Sequence, residues 1–153
     1  MIIREYSPKD FEQILSLFHE TVHAINSRDY DEDQIEAWAP TTANIRQWES
    51  RLQENYSIVA VQDEMVLGFA TLVDQQNIDA TYVHKDHQQC GIGKALIQRL
   101  QEMALELKTT VLRTEASSTA TPFFERLGFQ VTIERKKIHN GQTFNTYGMQ
   151  KML

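Results

Sequence analysis

A short glycine-containing segment carries the clearest sign of chemistry in the sequence. It reads Gln88-Gln89-Cys90-Gly91-Ile92-Gly93-Lys94 and stands between an alternating apolar run and a helical one. Small residues let backbone N–H groups approach a ligand closely, and the start of a helix presents unpaired N–H groups at the positive end of its dipole. These features favour a bound phosphate or pyrophosphate, to which Lys94 could add positive charge. The alternative is a tight strand-to-helix turn that binds nothing.

Two familiar phosphate-binding motifs do not fit this segment. A P-loop requires a serine or threonine after its lysine and a second glycine five residues earlier, but Ala95 and Gln88 occupy those positions. A dinucleotide fingerprint requires a third glycine where this chain has Leu96. The sequence therefore supports neither nucleoside triphosphate hydrolysis nor NAD binding.

A second motif, H-E-x-x-H, begins at His19 and ends at His23. In zinc peptidases this pattern places two imidazoles one helical turn apart on the metal, with Glu20 in the position of the base. Here no G-x-x-H follows, and no third ligand can be assigned. Both histidines flank the apolar stripe of their helix, so they also fit the rim of a core. We expect no metal site, and a zinc peptidase remains a remote alternative.

The composition is that of an ordinary globular chain. Its 153 residues are 41% hydrophobic and 24% charged, which favours one domain over residues 1–153. The formal charge of −6 and the pI near 5.3 argue against a nucleic-acid partner. No apolar run reaches the roughly 18 residues that cross a bilayer, so no membrane partner is expected. The start, MIIREYS, lacks the pattern of a secretory signal, and a single cysteine excludes an internal disulfide. We expect a cytoplasmic protein.

An acidic run lies between Asp29 and Glu36. Asp31 and Gln34 have the spacing of a capping box, and carboxylates suit the positive end of a helix dipole, so the run fits a helix start. The same charges could instead attract a cationic substrate.

Hydrophobic periodicity predicts one alternating series of strands and helices. Strands are predicted at 2–6, 56–62, 65–73, 77–84, 110–116, 129–135 and 143–149. Helices are predicted from Ser7-Pro8 through Ile25, from Asp31 to Pro40, and over 42–55, 91–107 and 119–127.

One part of this series positions the glycine segment. The strand over 77–84, the helix over 91–107 and the strand over 110–116 have the order and lengths of a βαβ crossover, which implies two parallel neighbouring strands. Ligands of such sheets bind beyond the carboxyl ends of the strands. The loop over 85–93 lies at that end, and so does Glu115.

Further segments carry a resemblance to a known family. Residues 80–84 resemble the strand that precedes its signature, and residues 116–129 resemble its later helix and the "GF" pair that follows. Residues 147–151 resemble its C-terminus. Together with residues 88–93, which match the acetyl-coenzyme A signature Q/R-x-x-G-x-G/A, they resemble the GNAT superfamily of N-acetyltransferases over roughly residues 56–153.

The resemblance implies an α/β class and the GNAT-like acyl-CoA N-acyltransferase fold, a mixed curved sheet with flanking helices and a splayed central parallel pair of strands. Acetyl-coenzyme A would lie in that gap as co-substrate, with its pantetheine arm along the backbone of Thr81, Tyr82 and Val83. Ser117 stands where many relatives have an asparagine that contacts the cofactor. The remaining cofactor-binding residues would be Gln88, Gln89, Cys90, Gly91, Ile92, Gly93 and Lys94.

Acetyl transfer to an amine requires a base for the amine, a donor for the oxyanion and, in some enzymes, an acid for the departing thiolate. The resemblance implies a backbone N–H near Val83 as the oxyanion donor. The family's usual acid is a tyrosine four residues before the glycine of the "GF" pair, and that position is Phe124 here. We expect Tyr147 to replace it, with Tyr82 and Tyr56 as alternatives.

Glu115 and Asp79 are the candidate bases, because both belong to strands that flank the splay; each could instead form a structural hydrogen bond. His23 and Trp38 are candidate acceptor-binding residues, since the first helices of the family shape the acceptor groove. The acceptor would be an amine on a small cationic molecule or a protein, and a homodimer is compatible with the family. The missing tyrosine at Phe124 keeps a non-catalytic acyl-CoA-binding module as an alternative.

Overall fold

The computed structural model describes residues 1–40 and 44–153. In chain order the strands are β1 (Ile2–Glu5), β2 (Tyr56–Gln62), β3 (Met65–Val73), β4 (Asn77–Val83), β5 (Val111–Ala116), β6 (Gln130–His139) and β7 (Gln142–Met152). The helices are α1 (Phe11–Ala24), α2 (Glu32–Trp38), α3 (Ile45–Gln53), α4 (Ile92–Glu106) and α5 (Thr121–Arg126). Short 3₁₀ turns, Pro8–Asp10 and Asn26–Arg28, precede α1 and α2. Over the ranges 1–40 and 44–153, no helix has both the length and the apolar character needed to cross a membrane.

The strands form one seven-stranded mixed sheet in the order β1-β2-β3-β4-β5-β7-β6. Its central neighbours β4 and β5 are parallel, while the other neighbouring pairs are antiparallel. Helix α4 connects the two parallel strands, as the predicted βαβ unit requires. The mixed α/β class expected from the sequence is confirmed.

Helices cover the two faces of the sheet and enclose two apolar cores. On one face α4 and α5 pack against the sheet, with Leu96, Leu100, Leu112 and Phe124 among the buried side chains. On the other face α1, α2 and α3 bury a second cluster, which includes Ile14, Phe18, Trp48 and Phe69. The helical spacing of the apolar residues in α1 and α4 produces this arrangement, because each helix turns one stripe toward the sheet.

The acidic run opens α2. Asp31 accepts a hydrogen bond of 2.8 Å from the backbone N–H of Gln34, and the Gln34 side chain accepts one of 3.0 Å from the Asp31 N–H. Glu32 and Asp33 occupy the first turn, near the positive end of the dipole. The helix-start interpretation of this run is confirmed.

Most predicted elements agree with the structure to within a few residues, and two differ. The third helix, predicted over 42–55, is α3 with Asn44 as its N-cap; its predicted first residue, Thr42, lies outside the described residues. The last hairpin is longer than predicted, since β6 continues to His139 and β7 from Gln142 to Met152. Residues 136 and 137 are lysines without an apolar signal, and they are strand because they pair with β7.

Candidate active site

The two parallel strands pair only at their beginnings. Asn77 is opposite Arg113 and Ile78 is opposite Thr114, where the Thr114 hydroxyl donates 3.0 Å to the Ile78 carbonyl. Beyond this point no β4–β5 pairing continues, although β4 extends for five more residues, 79–83. The strands therefore part and leave a gap between them.

A β-bulge at Asp79 marks the point where the gap begins. On the other side of β4, Thr71 pairs with Ala80 and Leu72 pairs with Ile78, so Asp79 is the extra residue. A bulge bends its strand and increases its local twist, which turns the rest of β4 away from β5. The splay expected from the family resemblance thus has a local cause in β4.

Backbone groups of β4 face this gap. The His84 N–H donates 2.8 Å to Leu67 of β3, and because alternate residues of an antiparallel pair direct their main-chain groups to opposite sides, those of Val83 and Thr81 point away from β3. The Val83 carbonyl accepts hydrogen bonds from Thr21 Oγ1 at 3.0 Å and from Gln88 Nε2 at 2.7 Å. The Thr81 hydroxyl is buried and has no hydrogen-bond partner among the residues described. The gap thus offers main-chain donors from β4.

The glycine segment forms the entrance to α4. Gly91 is the N-cap with φ +82°, Gln89 has φ +58°, and the first helical bond is from the Ala95 N–H to the Gly91 carbonyl at 3.0 Å. Within residues 1–40 and 44–153, no acceptor lies on the N–H groups of Gln89 to Lys94. Unpaired amides at a helix start are groups that can bind an anion.

Three residues of this segment have structural roles. Gln88 fastens the segment to the end of β4 through its bond to Val83, and the exposed Cys90 thiol donates 3.3 Å to the Gln88 carbonyl. Gly93 is buried, and a Cβ built on it would lie 3.0 Å from the Phe123 ring. Gly91 therefore supplies the backbone conformation, whereas Gly93 lets α4 pack against α5.

Ser117 begins the turn into α5. Its hydroxyl accepts 3.2 Å from the Ala120 N–H, and its carbonyl accepts 2.8 Å from the Thr121 hydroxyl. The next residue, Ser118, donates its N–H to the Tyr30 hydroxyl at 2.9 Å. Ser117 thus holds the loop at the end of β5, on the far side of the gap from β4.

Both candidate bases are engaged in ion pairs. Asp79 Oδ2 lies 2.7 Å from Arg51 Nε of α3. Glu115 accepts 2.6 Å from Arg135 Nη1 through one oxygen and 2.6 Å from the Thr146 hydroxyl through the other. A carboxylate has about four acceptor positions, so each keeps lone pairs for a further donor.

These carboxylates line a trough of about 450 Å³ on the sheet face opposite α4. On β5, Leu112, Thr114 and Ala116 are buried, and the alternate residues Arg113 and Glu115 are exposed on the trough side. Its lining includes the charged residues Asp79, Arg113, Glu115 and Arg135 and the neutral polar residues Asn77, Thr114, Thr132 and Gln150.

The candidate acids occupy different places. Tyr147 pairs with Ala116 at the end of β5 and packs against the core beneath α4, so it lies on the face opposite Glu115. Tyr56 lies on β2, two strands from β4. Phe124, at the position of the family's tyrosine, is 4% exposed and packs edge-on against Phe129.

Tyr82 contacts a predicted acceptor-binding residue. Trp38 Nε1 donates 3.1 Å to its hydroxyl. Burial raises the pKa of Tyr82 to about 12, and the Trp38 hydrogen bond opposes this only in part. Tyr82 therefore keeps its proton at neutral pH. An aromatic cluster surrounds the pair, because Tyr30 meets Trp38 edge-to-face at 5.3 Å and Phe144 lies 6.0 Å from Trp38.

The two histidines of the H-E-x-x-H motif stack on each other, with ring centroids 4.2 Å apart. His23 Nε2 is 2.7 Å from the Ala39 carbonyl, which ties α1 to the end of α2. Across the part of the chain that the structure describes, no three histidine, cysteine or acidic side chains could share a metal ion.

Sequence reasoning missed three arginines of this site. Arg51 and Arg135 are the partners of the two candidate bases, and Arg113 lines the trough. Arg51 and Arg135 come from α3 and β6, so no local spacing connects them with Asp79 or Glu115. For Arg113 the signal was strand alternation, because it precedes Glu115 by two residues on β5 and so shares its face.

A family model described as Acetyltransferase (GNAT) domain matches residues 26–151. The Escherichia coli (strain K12) protein named Uncharacterized N-acetyltransferase YafP is 31% identical to this chain over 147 residues, which are 96% of this chain and 93% of that protein.

Solved structures show the same architecture. A GCN5-related N-acetyltransferase from Rhodopseudomonas palustris is similar with a TM-score of 0.96 and 28% identity, over 99% of this chain and 95% of that one. The PaiA N-acetyltransferase from Thermoplasma acidophilum, solved in complex with coenzyme A, has a TM-score of 0.80 and 19% identity over 99% and 98% of the two chains.

Proposed function

Because the chain belongs to the GNAT family of acetyltransferases, we propose that this enzyme moves an acetyl group directly from acetyl-coenzyme A to an amine. The observation that carries the proposal is the parting of β4 and β5 after two paired positions, which opens a gap beside the α4 entrance. Residues 1–153 would act as one catalytic domain, since strands from both ends of the chain belong to the same sheet.

The residues of the gap fit acetyl-coenzyme A. The amides of Gln89 to Lys94 would hold its pyrophosphate, and the φ of Gly91 keeps them pointing outward with open space where a side chain would begin. Its pantetheine arm would run along the backbone of Thr81, Tyr82 and Val83, where the main-chain groups of Thr81 and Val83 point away from β3. Ser117 would border it from the β5 side.

Glu115 would accept the proton of the acceptor amine, and Asp79 is the second candidate for this role. Arg135 and Thr146 hold both oxygens of Glu115, which fixes the carboxylate at the start of the gap. The Val83 N–H faces the gap and would donate to the oxyanion. Tyr147, on the opposite face, would donate to the departing thiolate.

The acceptor would be an amine on a small cationic molecule or a protein, drawn by the net charge of −6. Trp38 would border it through the aromatic cluster of Tyr30, Trp38, Tyr82 and Phe144, because an aromatic face attracts an ammonium group. His23 would contribute indirectly, since its contact with the Ala39 carbonyl fixes the end of α2, which carries Trp38.

A screen of amines monitored by free thiol tests the proposal. We expect acetyl-coenzyme A to release coenzyme A faster with at least one amine than without any. Glu115→Gln should lower kcat/KM for that amine by about 10²–10⁴-fold, and Glu106→Gln, which removes an exposed carboxylate at the end of α4, should leave it unchanged. Tight acetyl-coenzyme A binding with no amine-dependent thiol release would instead support the non-catalytic module and refute the transfer.

A homodimer and a cytoplasmic location complete the proposal. The edge strand β6 is exposed along its whole length, and Ile133 and Ile138 are 45% and 75% exposed. Such an edge is a surface that proteins commonly cover.

The lone cysteine, Cys90, is free and exposed, which suits a reducing compartment. Sedimentation of the purified chain and fractionation of cells would check the two statements separately.

A further inference from the structure

We infer that the trough selects an amine acceptor that also carries an anionic group, a carboxylate or a phosphate, which Arg113 binds. This inference rests on the proposed function and narrows its acceptor. It starts from the charges of the trough, where each acid already has a cationic partner.

Arg113 is the cation of the trough without a partner. Asp79 pairs with Arg51 and Glu115 pairs with Arg135. Among residues 1–40 and 44–153, no carboxylate or carbonyl accepts a hydrogen bond from the Arg113 side chain, which is exposed in the trough. In a chain of net charge −6, the trough thus presents an unmatched guanidinium, which would repel a polycation at this point.

The neighbours of Arg113 suit an anion. Asn77 of β4 and Gln150 of β7 are its register partners on the two sides, so the three side chains form one row across the sheet. Both neighbours are half-buried neutral amides, which can donate a hydrogen bond to an anion and bring no negative charge of their own to the guanidinium. Arginine binds carboxylate and phosphate oxygens through two parallel N–H groups.

The row lies close to the start of the gap. Arg113 precedes Glu115 by two residues on the same face of β5, which separates their Cα atoms by about 7 Å. An acceptor with its anion on Arg113 would therefore place an amine beside Glu115, where the strands part. This spacing matches a small molecule rather than an extended polyamine.

Matched pairs of amines test the inference. The common L-amino acids would be compared with their carboxamides, and O-phosphoethanolamine with ethanolamine, by thiol release at saturating acetyl-coenzyme A. For at least one pair we expect kcat/KM to be about 10–100-fold higher for the anionic amine. The arm that shows the preference identifies carboxylate or phosphate as the anion.

Variants connect that preference with Arg113. Arg113→Gln should reduce the ratio of kcat/KM between the anionic and the neutral member to about one, and Arg113→Glu should reverse the preference. Arg99→Gln removes an exposed positive charge from α4, remote from the trough, and this variant should retain the preference for the anionic amine. Turnover of both members at equal rates, or a preference that persists in Arg113→Gln, would overturn the inference while leaving acetyl transfer intact.

Calorimetry with the same compounds separates the two proposals when no amine is turned over. Binding of the anionic amines by the native chain and not by Arg113→Gln would support the trough as an anion site although the transfer had failed. If the amines were neither turned over nor bound, both the acetyl transfer and the anion site would be overturned.

Discussion

Arg135 of β6 reaches across β7 to Glu115 of β5, and its Nη1 lies 2.6 Å from Glu115 Oε2. The side chain passes over Gly148, where a Cβ would lie 3.0 Å from that nitrogen and 2.7 Å from Ile133 Cγ2. The candidate base is thus held from two strands away because the strand between them has no side chain at the crossing.

Gly148→Ala should therefore lower the free energy of unfolding by about 1–3 kcal/mol, because a methyl group in this space forces Ile133 or Arg135 to move. Urea unfolding measures the effect. The double variant Gly148→Ala/Ile133→Ala removes the closest contact and should recover part of the loss. Equal stability of the native chain and Gly148→Ala would show that the crossing is not tight.

Asp10 should make stability depend on acidic pH. It is 3% exposed; burial alone would raise its pKa, but the two hydrogen bonds of 2.8 Å from Arg4, together with that from the Ser7 N–H, lower the pKa below its usual value. Because the folded-state pKa is depressed, the stabilisation is present above the unfolded pKa of about 3.9 and is lost as pH falls through the folded value.

Asp10→Asn should accordingly cost roughly 1–3 kcal/mol at neutral pH, the penalty for a charged hydrogen bond lost from a buried site. The difference in unfolding free energy from the native chain should shrink below the unfolded pKa. Asp74→Asn, a change in the exposed β3–β4 turn, serves as control. A cost that stays constant down to strongly acidic pH would contradict the ion-pair explanation.

The fold follows from the sequence because its signals are local. The β-rich runs over 56–62 and 65–73 coincide with β2 and β3, and the Asp63-Glu64 turn between them has φ +50° and +64°, a hairpin conformation. The end of β6 was missed for a physical reason, since its exposed lysines carry no burial pattern and are held in the strand by β7.

The site was predictable only in part. The unpaired amides at the start of α4 belong to residues that are adjacent in sequence, so a short sequence motif is enough to predict them. The partners of Glu115 and Asp79 come from β6, β7 and α3, and their contacts exist only after the sheet has formed. Likewise Trp38 and Tyr82 were predicted separately, one for the acceptor and one for the cofactor, and their hydrogen bond connects the two predicted residues.

Tyr82 should ionise later than an ordinary tyrosine. Burial raises its pKa to about 12, so in a titration of the phenolate absorbance of the five tyrosines one should ionise near that pH. Tyr82→Phe should remove this step. Because the folded-state pKa of Tyr82 is raised, the contribution of its protonated hydroxyl to stability is complete below about pH 10. That contribution is lost as pH rises through the folded-state pKa. Trp38→Phe should raise the pKa further, since the indole N–H lowers it. A late step that survives in Tyr82→Phe would contradict the assignment.

Gly93→Ala should act through packing. The new methyl group would lie 3.0 Å and 3.1 Å from two atoms of the Phe123 ring, so the ring must shift by a few tenths of an ångström. We expect a loss of about 1–3 kcal/mol in unfolding free energy. Phe123→Leu in the same chain should restore part of it. An unaltered melting temperature in Gly93→Ala would exclude the contact. Gly93→Glu would disturb the same packing, so a loss of acetyl-coenzyme A binding in that variant would not report on the cofactor site alone.

Gly91→Glu tests the cofactor site itself. A side chain at Gly91 meets no atom within 4 Å, so the substitution adds a carboxylate at the mouth of the amide cluster with no clash inside the protein. Its φ of +82° makes any L-residue strained, by about 1–2 kcal/mol. Gly141→Glu is a matched control, because Gly141 has φ +80°, equally open space, and lies at the tip of the β6–β7 hairpin. Calorimetry should show acetyl-coenzyme A binding abolished in Gly91→Glu and retained in Gly141→Glu, while both lose similar stability. Equal affinity in the two variants would mean that the pyrophosphate does not rest on the α4 entrance.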